Sequence, residues 1–338
     1  MGRPALRSSS VVLTVLLLGA VVGSVSLGTV TLPLDEVWAV VAGHVGLGDG
    51  TTNVLYDQIV WTIRVPRVLL AAVVGAALSV AGVALQALIR NPLADPYVLG
   101  VSSGASLGAV LVMGAGLAGL TTTAGAFVGA TVSLLAVFVL AQRSGRLTDS
   151  RLVLAGVAVS YLAMAGTSLV QLRAEPTQVR GILFWLMGSV AGADWSKLGV
   201  PTAVMLVAAG YLVLQGRALN ALAIGDDDAA ALGVDVQRLR IVLLLVSSLL
   251  TATAVGVAGG VGFVGLMIPH AARLVVGSDH RKLLPVATLA GAVFLVLVDL
   301  ATRIVDRPNE YPITVFTAAL GAPFFLWLLR SSGREGAL

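Results

Sequence analysis

Ten apolar runs recur along this chain, near residues 11–29, 65–88, 98–115, 123–141, 151–172, 197–216, 240–258, 261–276, 283–303 and 313–330. Nothing else in the sequence limits its fold as tightly. A helix crossing a bilayer needs ~20 predominantly apolar residues, and such runs fill most of the 338 residues. Soluble domains are roughly 45–50% apolar, whereas this chain is 57% apolar and only 11% charged. The chain therefore reads as an all-α polytopic membrane protein with about ten transmembrane helices, those at 98–115 and 261–276 being short. It reads as a single unit over 1–338, with no soluble domain, linker or low-complexity tail. A basic lead, MGRPALR, precedes the first run. No small-residue cleavage site follows, so the run reads as the first span rather than a signal peptide.

Orientation follows from the cations. With both termini inside, fourteen of the 21 Lys and Arg residues fall on inner segments and seven on outer ones, as the positive-inside rule requires. Residues 30–63 then form an outer loop. The stretch from Leu172 to Ser196 is also outer, and its RGILFWLMGSVAG is too short to span, so it reads as an outer half-helix. The largest inner connection is 217–239. The 39 glycines suit close helix packing in lipid, where small residues let backbones approach.

Three classes of membrane protein compete: a channel or secondary transporter, a membrane enzyme, and the membrane subunit of an ATP-driven pump. A phosphate-binding loop needs Gly-x-x-x-x-Gly-Lys-Ser/Thr. The only lysines, Lys197 and Lys282, lie in no such loop, so any ATP hydrolysis belongs to another subunit. With no cysteine, and with His44, His270 and His280 far apart and unpaired, metal and nucleophilic catalysis have no constellation to use. His270, beside Pro269, reads as a structural hydrogen-bonding group, the alternative being a ligand or proton carrier. Asp299 reads as the i, i+4 partner of Arg303, the alternative being an ion-coupling carboxylate.

The inner connection contains LNALAIGDDDAAALG. Leu219, Leu222 and Ala223 share one helical face, and Gly225 ends it. Asp226 reads as an N-cap, with Asp227 and Asp228 in the first turn where negative charge suits the helix dipole. Ala229 to Leu232 extend a second short helix and Gly233 stops it. Two isolated helices this short are unstable in water, so they need the membrane part, a partner, or both. In NPLADPY, Pro92 and Pro96 break the helix between Asn91 and Asp95, while Pro269 kinks or starts a later one.

Taken together, RVPRVLLAAVVGAALSVAGVALQALIRNPLADPYVLGVSSGASLG (64–108), the loop 219–240, GFVGLMIPHAARLVVGSDHRKLLP (262–285) and PITVFTAALGAPFFLWLL (312–329) resemble the FecCD-type permeases of bacterial ABC importers. These take up iron–siderophore chelates, haem and vitamin B12. The resemblance covers about Leu32 to Leu329. It implies a non-enzymatic permease in the bacterial cytoplasmic membrane. Its partners would be a second permease copy, identical or paralogous, two cytoplasmic ATPases that bind ATP and magnesium, and an extracytoplasmic binding protein. It also implies that Leu219, Leu222, Ala223, Gly225, Asp226, Ala229, Leu232 and Gly233 couple the chain to the ATPase, and that Arg64, Arg67 and Arg303 meet acids of the binding protein. Iron–siderophore is the leading cargo on this reading, with haem or cobalamin as alternatives. The chain itself would carry no cofactor or metal and would have no nucleic-acid partner. A stand-alone ion-coupled transporter is the rival.

Overall fold

A computed structural model describes residues 3–48, 53–115, 120–143 and 146–335. Among them the chain forms, in order, α1 (Arg3–Ser26), α2 (Leu34–His44), α3 (Val54–Asp57), α4 (Val65–Ile89), α5 (Val101–Ala115), α6 (Thr122–Ala141), α7 (Asp149–Arg173) and α8 (Pro176–Leu186). It continues with α9 (Gly199–Leu214), α10 (Gly216–Ile224), α11 (Asp226–Ala231), α12 (Val236–Ala258), α13 (Val264–Val276), α14 (His280–Ile304) and α15 (Ile313–Glu335). A π-helical stretch, Gln58–Arg64, joins α3 to α4, and a small antiparallel pair, Gln142–Arg143 with Arg146–Leu147, lies between α6 and α7.

Each of the ten apolar runs is a helix. Seven are long and apolar enough to cross a membrane, while α5, α13 and the apolar part of α15 are shorter. The expected outer loop at 30–63 differs from its reading: it carries α2, α3 and the π turn. The outer half-helix is α8. It starts on Pro176 at its first position, with a reciprocal capping box between Glu175 and Gln178, which satisfies two otherwise unpaired amides.

The helix running through α4 is the centre of the bundle, 83% buried over its most apolar window against 17% for α1. A helix that is apolar all round belongs inside, and α4 packs on α12, α13 and α14. Small residues set the distances. A Cβ placed on Gly82 would lie 1.8 Å from the Gly265 carbonyl oxygen. That carbonyl is the one Pro269 cannot bond to, because proline lacks the amide four residues on. Gly82 thus seats a carbonyl released inside α13. Pro269 lies within α13, not at its start.

α13 is 13 residues long, roughly 20 Å, so it ends inside the thickness of the bundle. Irregular backbone at that depth is tolerated only if its polar groups find partners, and they do. Ile313 N donates to Gly188 O (2.9 Å) and Thr314 N to Met187 O (3.1 Å), so the end of α8 meets the start of α15. Ser189 N donates to Ala258 O at the end of α12 (2.8 Å). Thr314 Oγ1 donates to Gly260 O (2.8 Å), and Val261 N to Tyr97 Oη (2.5 Å).

The break after α4 falls where the prolines place it. Arg90 adopts φ 53° as the C-cap, Asn91 Oδ1 accepts from Leu93 N (2.8 Å), and Pro96 opens a 3-10 turn capped by Asp95.

Candidate functional site

At the inner end, α10 and α11 form the two short helices expected, joined at Gly225. Leu219, Leu222 and Ala229 have no exposed surface, so they face the bundle. Ala223, Ile224 (68% exposed), Leu232 (67% exposed) and Gly233 face outward. α11 ends in a Schellman motif: Gly233, at φ 82°, donates to Ala230 O (2.9 Å), and Val234 N donates to Ala229 O (3.0 Å). Only glycine takes that φ without strain.

The reading of Asp226 as an N-cap is corrected. Gly225 holds the cap position and no side chain caps α11. The Asp226 carboxylate instead accepts from Arg240 Nη2 on α12 (3.1 and 3.2 Å) and lies 3.4 Å from Arg90 at the break after α4. The reason is Arg240 itself. It is only 2% exposed, and a buried guanidinium needs a carboxylate more than an exposed helix end needs a cap. Asp227 and Asp228 remain exposed in the first turn.

Asn220 provides a second tie. Its Oδ1 accepts from His280 N (2.8 Å) and lies 2.8 Å from His280 Nδ1, while its Nδ2 donates to Asp279 Oδ1 (2.8 Å). The Asn220 amide, ahead of the opposing effect of burial and the helping amide of Arg281, holds the Asp279 carboxyl below its ordinary range. The loop is therefore joined to α12 through Asp226–Arg240 and to α14 through Asn220, so a push on α10 and α11 reaches both helices. Sequence reading missed Asn220, Arg90 and Arg240. Both arginines passed as part of the inner positive charge, and Asn220 carried no signal.

The outer arginines lie within the chain's own packing. Arg64, Arg67 and Arg303 are 4%, 5% and 3% exposed, so each guanidinium is engaged inside the chain. Arg64 donates to the carbonyls of Val25 (3.0 Å), Ser26 (3.0 Å) and Val30 (2.5 Å). Arg67 donates to Asp299 (2.9 Å) and to Glu310 (2.9 and 3.1 Å). Arg303 reaches Asp299 (3.1 Å) and the carbonyls of Ser24 (3.2 Å) and Leu27 (3.1 Å). Fully desolvated cations in lipid-depth structure need such partners. The arginines tie the end of α1 to α4, α14 and the turn before α15. Asp299 pairs with Arg303 as expected.

His270 departs from its reading. Its ring packs edge-on against Phe324 and Phe325 (6.0 and 6.3 Å), and its buried Nδ1 has no hydrogen-bond partner among the described residues.

Towards the outer end, a cavity of about 740 Å³ lies among α6, α8 and α12, walled by Thr123, Arg180, Phe184, Trp185 and Lys197. A second, of about 550 Å³, shares Thr123 and Lys197 with it. Among the described residues no three His, Asp or Glu side chains come together as a metal site.

A profile of the FecCD transport family matches residues 15–331. The chain belongs to that family. As a FecCD protein it is a multi-pass permease of the ABC-importer type and not itself an enzyme. It is 44% identical to the cobalamin import system permease protein BtuC of Halobacterium salinarum, over 80% of this chain and 73% of that one. It is 40% identical to the hemin transport system permease protein HmuU of Yersinia pestis, over 94% and 93% of the two chains. Among solved structures, a transporter assigned to the metal-chelate type of ABC transporter, in an inward-facing conformation, superposes with a TM-score of 0.84. It is 33% identical and covers 95% of this chain and 98% of that one. FecCD permeases work with an ATPase and a binding protein.

Proposed function

We propose that this FecCD permease carries a bulky metal tetrapyrrole, vitamin B12 or haem, rather than an iron–siderophore. The observation that carries this is the identity of 40–44% to permeases named for cobalamin and hemin. Two copies of the chain would enclose the pathway between them, with the outer cavity beside Trp185 and Phe184 as its approach. Two ATPases would seat α10 and α11 and rock the halves between outward and inward access. The exposed Ile224 and Leu232 are the apolar anchors of that contact, because exposed apolar surface rimmed by polar residues marks an interaction site. The binding protein would dock outside, and with Arg64, Arg67 and Arg303 engaged internally, the exposed outer cations Arg173, Arg180 and Arg307 are the groups that would steer it.

Uptake into proteoliposomes holding the permease, its ATPase and its binding protein tests the cargo. Labelled cyanocobalamin and haemin are compared with a ferric hydroxamate chelate. ATP-dependent accumulation of either tetrapyrrole supports the proposal. Accumulation of the hydroxamate chelate alone restores the siderophore reading.

A further inference from the structure

We propose that the cavity at the joint between the coupling helices and the bundle binds a phosphate-type oxyanion. This pocket, of about 260 Å³, is separate from the outer cavities and is walled by Gln86, Arg90, Asn91, Arg273, Ser278 and His280, with Ala223 of α10 on its rim. Three elements converge there: the end of α4 with its break, the α13–α14 turn, and the coupling helix.

Arg273 carries the inference. Its Nη2 donates to Gln86 Oε1 (3.0 Å), and Gln86 Nε2 in turn faces Leu266 O (3.4 Å), so the guanidinium is held in place. Its Nη1 is buried and has no hydrogen-bond partner among the described residues. A buried cationic donor without an acceptor calls for one, and the adjoining space can hold it. The surrounding charge has the right sign. Asp226 is shared between Arg90 and Arg240, so three guanidinium groups, Arg273 included, stand against two carboxylates, Asp226 and Asp279. Asp279 is already engaged by the Asn220 amide and by the Arg281 amide of α14. Other donors point to several oxygens rather than two. Asn91 uses its Oδ1 on Leu93 N, leaving its amide nitrogen as a donor, and Ser278 adds a hydroxyl. A tetrahedral oxyanion meets a forked arginine and donors on other walls at once, which a flat carboxylate cannot do.

The same chemistry could come from cytosolic phosphate or from the phosphate of a lipid headgroup, since the pocket lies at the inner end of the spans. Either occupant would bridge the break after α4 to the α13–α14 turn directly behind α10. It would stiffen the joint through which the ATPase acts.

Equilibrium dialysis of radiolabelled inorganic phosphate against the full-length chain in a neutral detergent, at fixed ionic strength, tests the free anion. Native mass spectrometry of the chain from phosphatidylcholine nanodiscs, with and without phosphatidylglycerol, tests the lipid. One anion per chain is expected, with affinity reduced about tenfold or more in Arg273→Gln and less in Arg273→Lys, which keeps the charge without the fork. If Arg273→Gln does not fold, Arg273→Lys and Ser278→Ala are read instead, and both should weaken binding. Arg273-dependent phosphate binding identifies a free anion, and Arg273-dependent retention of phosphatidylglycerol alone identifies a lipid. Binding of neither, or binding indifferent to these substitutions, overturns the site.

Discussion

Removing Arg67 would leave Asp299, which has no exposed surface, facing Arg303 alone, and would free Glu310. Breaking a buried ion pair from one side costs about 3–5 kcal/mol. Arg67→Ala should therefore lower the Tm of the purified permease sharply, while the molecules that do fold still bind the binding protein. A normal Tm with docking lost would return Arg67 to the outer surface. At the inner end, Asp226→Asn removes the Asp226 charge that faces Arg240. Because Asp226 is 42% exposed, the stability cost is smaller, about 1–3 kcal/mol. ATP-driven uptake should fall much further than the Tm, since the substitution also cuts the tie from α11 to α12. Asp228→Asn, exposed and outside that tie, should stay within ~0.5 kcal/mol of the parent and transport normally. Equal uptake by both variants would remove Asp226 from the coupling path.

At the scale of elements, the two faces of α10 and α11 should respond in opposite ways. Leu222→Asp puts a charge where no surface is exposed and should unfold the joint, seen as loss of monodisperse protein. Ile224→Asp or Leu232→Asp should leave the fold intact and abolish co-purification of the ATPase. Helix contacts divide in the same manner. Gly82→Ala drives a methyl into the Gly265 carbonyl, whereas a Cβ on Gly210 meets nothing within 4 Å, so thermal melts should separate Gly82→Ala from Gly210→Ala by several degrees. The elements themselves were legible in the sequence because a membrane helix satisfies its backbone within one segment, so local apolar runs suffice to find it. The same holds for α8, announced by its short apolar run, and for α11, bracketed by Gly225 and Gly233. Partners were not legible. Arg67 and Asp299 are 232 residues apart, and nothing near either one names the other. The arginines around Pro66 therefore looked like surface charge. Asp226 was misread for the same reason, since its carboxylate is claimed from the next span rather than by its own helix.

For the whole molecule, the ion-coupled alternative has lost its best candidate group. Asp299 is held between Arg67 and Arg303, a buried tie between two helices rather than a carboxylate standing free on a pathway. Transport by the reconstituted complex should therefore follow ATP and persist when proton and sodium gradients are collapsed by ionophores. Uptake that ceases with the gradients would show a coupling ion at work. The bundle also suggests where motion is cheap. α4 is locked to α13 and α14 at backbone distance, while α10 and α11 rest on the bundle through the buried Leu219, Leu222 and Ala229 and a few polar ties, so a force applied there is expected to turn packed helices together rather than bend the central one.

The hold on α1 has a consequence for how such a chain can evolve. Arg64 and Arg303 grip residues 24–30 chiefly through main-chain oxygens, which every amino acid supplies. Exposed positions such as Leu27 and Val30, which offer only their carbonyls, can therefore drift in sequence while the anchorage stays fixed. The constraint on that segment falls instead on Gly28, where a Cβ would lie 2.8 Å from the Arg64 guanidinium, and on Ser24 and Val25, which are buried.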